Sequence, residues 1–189
     1  MTNIPKDVQI GDFYVVSGGI HTGPLIEFFE QIDKQDIPDE FVMKASLFQH
    51  AGLISDIGPY NIMVLEEEGK GMVEQPYHYE DAIIMFSTDA LHPVNRMKII
   101  QRARSLKGHR YGWLTYAALT AHHWHIWVPG LKQYINWSGD EICSQSVDDS
   151  WTWAGNKVFD DERWHGDVKP SDLAYLLLSL GVQPIYPEG

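Results

Sequence analysis

Cysteine, positive charge and long apolar runs are all scarce in this chain of 189 residues. The single cysteine, Cys143, excludes an internal disulfide, so the fold does not depend on oxidation. Only 14 lysines and arginines oppose 26 acidic residues, and the formal net charge of −12 disfavours binding to nucleic acid. No apolar run approaches the roughly 20 residues of a membrane span. Residues 1–7 lack the apolar core of a signal peptide, so we expect a soluble protein that stays where it is made or is delivered by another system.

The remaining composition is that of an ordinary globular protein. Apolar residues make up 44% of the chain and aromatic residues 12%, which argues against disorder. No repeat, low-complexity tract or linker divides the sequence. We therefore predict a single domain over residues 1–189.

Apolar patterns predict strands and helices in alternating groups. Strands are expected at residues 8–16, 48–54, 60–66, 71–74 and 81–86. Helices are expected at residues 24–32, 93–107 and 113–121, and from residues 139–141 onward through Cys143. A last helix is expected in the closing segment, where Gly181 ends it. Ser171 or Asp172 is the predicted cap of the last helix. The predicted fold class is α+β, with an antiparallel sheet of about five strands and the cysteine helix packed against it.

Cys143 lies where a thiol can become reactive. Gly139, Asp140 and Glu141 indicate a helix start, so Cys143 falls in the first helical turn. There the free backbone N–H groups and the helix dipole favour a thiolate, whereas the neighbouring carboxylates oppose it. A lone cysteine is more often a small buried apolar residue. Catalysis by Cys143 therefore requires a base elsewhere in the chain.

His50 is the candidate base, and Glu66 is the residue expected to orient it. If the two strands form a hairpin that turns at Gly58, His50 and Glu66 lie opposite each other on one face, with Cβ atoms roughly 5 Å apart. Glu68 would share this face and Glu67 would point away, but a slip in register would exchange these roles, so both remain alternatives. Taken singly, a half-buried structural histidine for His50 and a solvated strand end for Glu66 are the more common interpretations.

Four segments carry a family resemblance: Phe48-Gln49-His50-Ala51-Gly52-Leu53-Ile54, Val64-Leu65-Glu66, Ile142-Cys143-Ser144-Gln145 and Val168-Lys169-Pro170-Ser171-Asp172-Leu173. Together they resemble the circularly permuted papain-like cysteine hydrolases, in the YiiX-like branch of the superfamily that includes NlpC-type cell-wall peptidases. In that branch the histidine strand comes first, the third polar residue follows on the next strand, and the cysteine helix comes late. Residues 10–13 and 108–113 extend the resemblance over nearly the whole chain.

The resemblance implies a thiol hydrolase with a Cys-His-Glu triad. Cys143 would be the nucleophile, His50 the base and Glu66 the orienting residue. Tyr111 would line the substrate site, and Gln145 would take part in substrate binding where relatives often have glutamate. The implied activity is an endopeptidase or amidase on peptidoglycan peptides, without a metal or organic cofactor.

Two other functions remain open at this stage. The same triad could cleave an acyl ester or amide of a lipid or a thioester, as in lecithin-retinol acyltransferase-like relatives. Alternatively, the scaffold could be a binding module without turnover. Three weaker signals are better explained by structure than by function. His122, His123 and His125 favour a helix end, solvated or packed against aromatic residues, over a metal site. Acidic residues 33–40 favour a solvated loop over a cation site, and residues 68–71 favour a turn over a phosphate loop.

Overall fold

The fold combines one antiparallel sheet with helices. The computed structural model describes residues 4–17, 45, 47–68, 71–88, 90–108, 142–159 and 168–187. Its strands are β1 (Phe13–Ser17), β2 (Phe48–Ile57), β3 (Ile62–Glu68), β4 (Gly71–Pro76) and β5 (Ile84–Phe86), and its helices are α1 (Arg96–Ser105), α2 (Cys143–Trp153) and α3 (Pro170–Ser179). The strand order is β4-β3-β2-β1-β5, with every neighbouring pair antiparallel. The predicted α+β class and five-stranded antiparallel sheet are confirmed.

Some predicted elements differ or fall outside the described residues. The first strand starts at Phe13 and not at Val8, because a turn precedes it: Asp12 N donates to Gln9 O, and Gly11 has a φ of +88° that favours glycine. The helices predicted at residues 24–32 and 113–121 lie outside the described residues. No helix in the described ranges is long and apolar enough to cross a membrane.

The sheet buries apolar residues on both faces. One face packs against the three helices, and Phe13 of β1 meets Trp151 of α2 edge to face with ring centroids 5.4 Å apart. Alternate strand residues, among them Tyr14 and Val64, form a second cluster with Tyr77 on the other face. The sheet is therefore the central layer from which both clusters are built.

Side-chain hydrogen bonds to the backbone cap the first turns of α1 and α3. Asn95 accepts a hydrogen bond from Lys98 N at the start of α1. In α3, Pro170 is the first helical residue, and Asp172 Oδ2 accepts from Lys169 N at 2.9 Å. The predicted cap at Ser171 or Asp172 is therefore wrong: Lys169 occupies the N-cap position, and Asp172 lies at the third helical position, from which its carboxylate accepts the bond from Lys169 N.

The β2–β3 register differs from the prediction. β2 continues to Ile57, the loop is closed by Gly58 N donating to Asn61 O, and a bulge lies between Ile54 and Asp56. As a result, Gly52 and not His50 pairs with Glu66. The predicted direct opposition of His50 and Glu66 is wrong by two positions, a shift that keeps both residues on the same face.

Gly52 is required by a close approach and not by its backbone conformation. It pairs with Tyr14 of β1 on one side and with Glu66 of β3 on the other. A Cβ atom on Gly52 would lie 2.5 Å from the Tyr14 hydroxyl oxygen and 2.7 Å from its Cζ. The Tyr14 side chain therefore lies over the face of the sheet, in the space that a side chain at position 52 would occupy.

Gly52→Ala is expected to lower the free energy of unfolding by about 2 kcal/mol, because the fully buried Tyr14 ring has little room to move. Urea unfolding of the wild type and the variant measures this loss. The control is the same substitution in a Tyr14→Leu background, where the clash is relieved and alanine should cost less. An equal cost in both backgrounds would show that Tyr14 is not the cause.

Candidate active site

His50 of β2 and Glu66 of β3 form a buried pair. His50 Nε2 and Glu66 Oε2 are 2.7 Å apart, with Glu66 fully buried and His50 8% exposed. The two residues are diagonal neighbours, since Glu66 pairs with Gly52. Gly52 has no side chain, so it leaves the Glu66 carboxylate free to reach the imidazole.

The structure distinguishes among the three acidic residues considered from the sequence. Glu66 is the one in contact with His50. Glu67 pairs with Met72 and is buried, and strand alternation directs its side chain to the other face. Glu68 shares the face of Glu66 and accepts a hydrogen bond from Gln75 at 2.7 Å.

Sequence reasoning did not identify three further partners of Glu66. The Tyr14 and Tyr79 hydroxyls donate to Oε2 at 2.8 and 2.6 Å, and Gln75 Nε2 donates to Oε1 at 2.6 Å. Burial alone would raise the pKa of Glu66, but the hydrogen bond and charge of His50, with the hydrogen bonds of Tyr79 and Gln75, lower it to about 2. Glu66 is therefore a stably ionised carboxylate in the protein interior.

Cys143 is the first residue of α2, so the prediction that it lies in the first helical turn is confirmed. Its free thiol is 3% exposed. Two serine hydroxyls fasten this helix start: Ser144 Oγ donates to Val168 O at 2.7 Å, and Ser146 Oγ donates to Cys143 O at 2.9 Å. Farther along, Val147 and Trp151 anchor α2 in the helix-side core.

The His50 imidazole links Cys143 to Glu66. Burial would lower the pKa of His50, but the charge of Cys143 and its side-chain hydrogen bond, together with Glu66, raise this pKa to about 10. Because Nε2 is bonded to Glu66, Nδ1 is the ring nitrogen left for Cys143. The arrangement favours an imidazolium held between the Glu66 carboxylate and Cys143.

The remaining predicted site residues have different placements. The Oε1 atom of Gln145, 2% exposed, accepts a hydrogen bond from Ile142 N at 3.1 Å, so Gln145 caps the helix that presents Cys143. Its role in substrate binding stays a prediction. Tyr111, the histidines at 122, 123 and 125, and the acidic residues 33–40 lie outside the described residues.

The donor set of the site suits acid-base and nucleophilic chemistry. Among the residues that the structure describes, no group of three or more His, Cys, Asp or Glu side chains is arranged to hold a metal ion. A thiol beside an imidazole that is itself held by a carboxylate can lose its proton to the ring and attack an electrophilic carbon.

Comparison of the sequence with models of protein families found no match, and comparisons with curated proteins and with solved structures found none either. The residues and their geometry therefore provide the basis for inferring function.

Proposed function

We propose that this protein is a cysteine-dependent amide hydrolase acting on peptide bonds of peptidoglycan, with Cys143, His50 and Glu66 as its triad. The observation that carries the proposal is the chain of contacts from Cys143 at the start of α2, through His50, to the buried carboxylate of Glu66. Each of the three residue types performs a separate part of the reaction.

His50 takes the thiol proton through Nδ1, and Glu66 stabilises the imidazolium that forms. The Cys143 thiolate then attacks the amide carbonyl, and backbone N–H groups in the first turn of α2 donate to the developing oxyanion. His50 returns the proton to the leaving amine, which leaves a thioester on Cys143. Water, activated by the neutral imidazole, hydrolyses this thioester and restores the free thiol.

The order of the elements supports a circularly permuted papain-like fold of the NlpC type. β2 carries His50 and precedes β3, which carries Glu66, while the cysteine helix α2 comes much later in the chain. This is the order that the resemblance in the sequence implies. The peptidoglycan substrate follows from the resemblance in the sequence.

The direct test is the release of new amino groups from purified peptidoglycan. Active protein should release them, whereas protein whose single thiol has been blocked with iodoacetamide should not. Release of fatty acid from a lipid or a thioester, without action on peptidoglycan, would show that the substrate is an acyl ester, amide or thioester and not a peptidoglycan peptide. Release of neither product, combined with a slowly alkylated thiol, would contradict the enzyme proposal and favour a binding module.

A further inference from the structure

Two tyrosine hydroxyls bind the same carboxylate oxygen that His50 binds. Tyr14 and Tyr79 donate to Glu66 Oε2 at 2.8 and 2.6 Å, and His50 Nε2 is 2.7 Å from this atom. The other oxygen, Oε1, is bonded by Gln75. The position and charge of Oε2 are thus fixed from three directions.

The two tyrosines reach this oxygen from different parts of the fold. Tyr14 belongs to β1 and extends across the space above Gly52. Tyr79 follows β4, and its ring lies beside the His50 ring with centroids 6.0 Å apart. The two tyrosine rings also contact each other, with centroids 5.8 Å apart.

We propose that Tyr14 and Tyr79 are positioning residues for the thiol-imidazole pair: their hydroxyls hold Glu66 ionised and in line with His50 Nε2, so that Nδ1 stays directed at Cys143. The inference rests on the proposed function, since it concerns how the same triad is held. Neither tyrosine contributes an atom to the bonds that form or break.

The charges around Glu66 suit this role. Facing it are Tyr14 from β1, His50 from β2, Glu68 from its own strand, and Tyr79. Burial, followed by the negative charge of Glu66, raises the pKa of both tyrosines well above the ordinary value, and for Tyr79 the charge of Cys143 adds to this effect. Both hydroxyls therefore keep their protons and remain donors wherever the thiol-imidazole pair operates.

Loss of these donors should weaken the ion pair between Cys143 and His50. A buried carboxylate with fewer hydrogen bonds is less stable as an anion and competes more strongly for the imidazole proton. When Glu66 takes that proton, His50 becomes neutral and no longer stabilises the thiolate. Because the thiolate is the reactive form of a cysteine, alkylation of Cys143 near pH 6 should then slow.

The test is the pH profile of Cys143 alkylation by iodoacetamide in Tyr14→Phe, Tyr79→Phe and the double variant. The double variant should react about fivefold more slowly than the wild type near pH 6, with its profile displaced to higher pH by about one unit. Tyr77→Phe is the matched control, because Tyr77 packs on both tyrosine rings while its hydroxyl donates to Tyr79 O and not to Glu66. A purely structural role of the cluster would make all of these variants alike.

The outcomes separate this inference from the function on which it rests. Slow alkylation of the wild type, or a rate independent of His50, would overturn the triad itself. If alkylation of the wild type is fast and depends on His50, but the double variant and Tyr77→Phe both show the wild-type pH profile, only the positioning role is overturned. If thermal unfolding shows that the double variant does not fold, the half-buried Tyr79→Phe decides the question alone, and an unchanged profile in that variant counts against the inference.

Discussion

His50→Ala is expected to lower the rate of substrate hydrolysis by a factor of about 10² to 10⁴, the usual contribution of a positioned general base. The physical reason is the loss of both proton transfers, from the thiol before attack and to the leaving amine afterwards. The substrate-independent measurement is alkylation of Cys143 by iodoacetamide as a function of pH. An ordinary thiol is only roughly 0.3% thiolate near pH 6, so the variant should react slowly there.

The expected loss of alkylation rate is smaller than the loss of thiolate. A more basic thiolate is intrinsically more nucleophilic, so part of the loss is offset and the net fall near pH 6 is about tenfold. His92→Ala is the control, since His92 is an exposed histidine outside the site. If His50→Ala and His92→Ala both matched the wild-type profile, the thiol would be a structural cysteine without a base.

Glu66→Gln is expected to remove about 3 kcal/mol of folding stability between about pH 5 and pH 6. The pKa of Glu66 is lowered from its ordinary value of 4.5 to about 2 in the folded protein. A depressed carboxyl pKa contributes stability that is fully present above pH 4.5 and is lost as the pH falls through 2. The stability difference between wild type and variant should therefore shrink as the pH falls from 4.5 to about 2.

Chemical unfolding at a series of pH values measures that difference. Glu74 also has a pKa lowered to about 2, chiefly by its hydrogen bond to Arg104, but it is present in both proteins and so cancels. Carbon-13 NMR of the carboxyl groups supplies a second measurement, in which the signal missing from Glu66→Gln should titrate near pH 2. A signal that titrates near 4.5, or a stability difference that does not change with pH, would contradict the ionised pair.

Local patterns in the sequence were enough to predict most of the sheet and the placement of Cys143. Alternating and continuous apolar runs mark the strands around His50 and Glu66, and acidic residues beside a glycine mark the start of the cysteine helix. These signals depend on neighbours along the chain, which a sequence displays directly. The structure confirms the strands and the place of Cys143 in the first helical turn, but α2 begins at Cys143 itself, with Ile142 as its N-cap.

Strand register depends on the loop and on irregularities, which the sequence displays poorly. The turn formers at residues 55–59 placed the centre of the hairpin too early, because β2 continues to Ile57 and the loop lies at residues 58–61. The bulge at Ser55 moves the pairing back by one position, so that Glu66 pairs with Gly52. The error spans two positions and so preserves the face. Glu66 still meets His50 because the opposite residue, Gly52, leaves the diagonal open.

Tyr14, Tyr79 and Gln75 escaped prediction because their approach to Glu66 depends on long-range pairing. Tyr14 lies in a strand that the sequence does predict, but its neighbour in the sheet is set by the pairing of β1 with β2, which no local pattern specifies. Tyr79 follows β4 in a segment without periodicity. Buried hydrogen bonds of this kind are recognisable only once the strands are in register.

The two parts of the candidate active site also differ in when folding can bring them together. His50 and Glu66 are 16 residues apart on adjacent strands, a separation that a hairpin closes quickly. Cys143 lies much later in the chain, and it reaches His50 only after α2 has been synthesised and has docked on the sheet, since contacts between distant segments form late. In a chain whose strands have paired but whose α2 has not yet docked, Cys143 therefore has no imidazole beside it, and the proposed nucleophile meets its base only when the fold is complete.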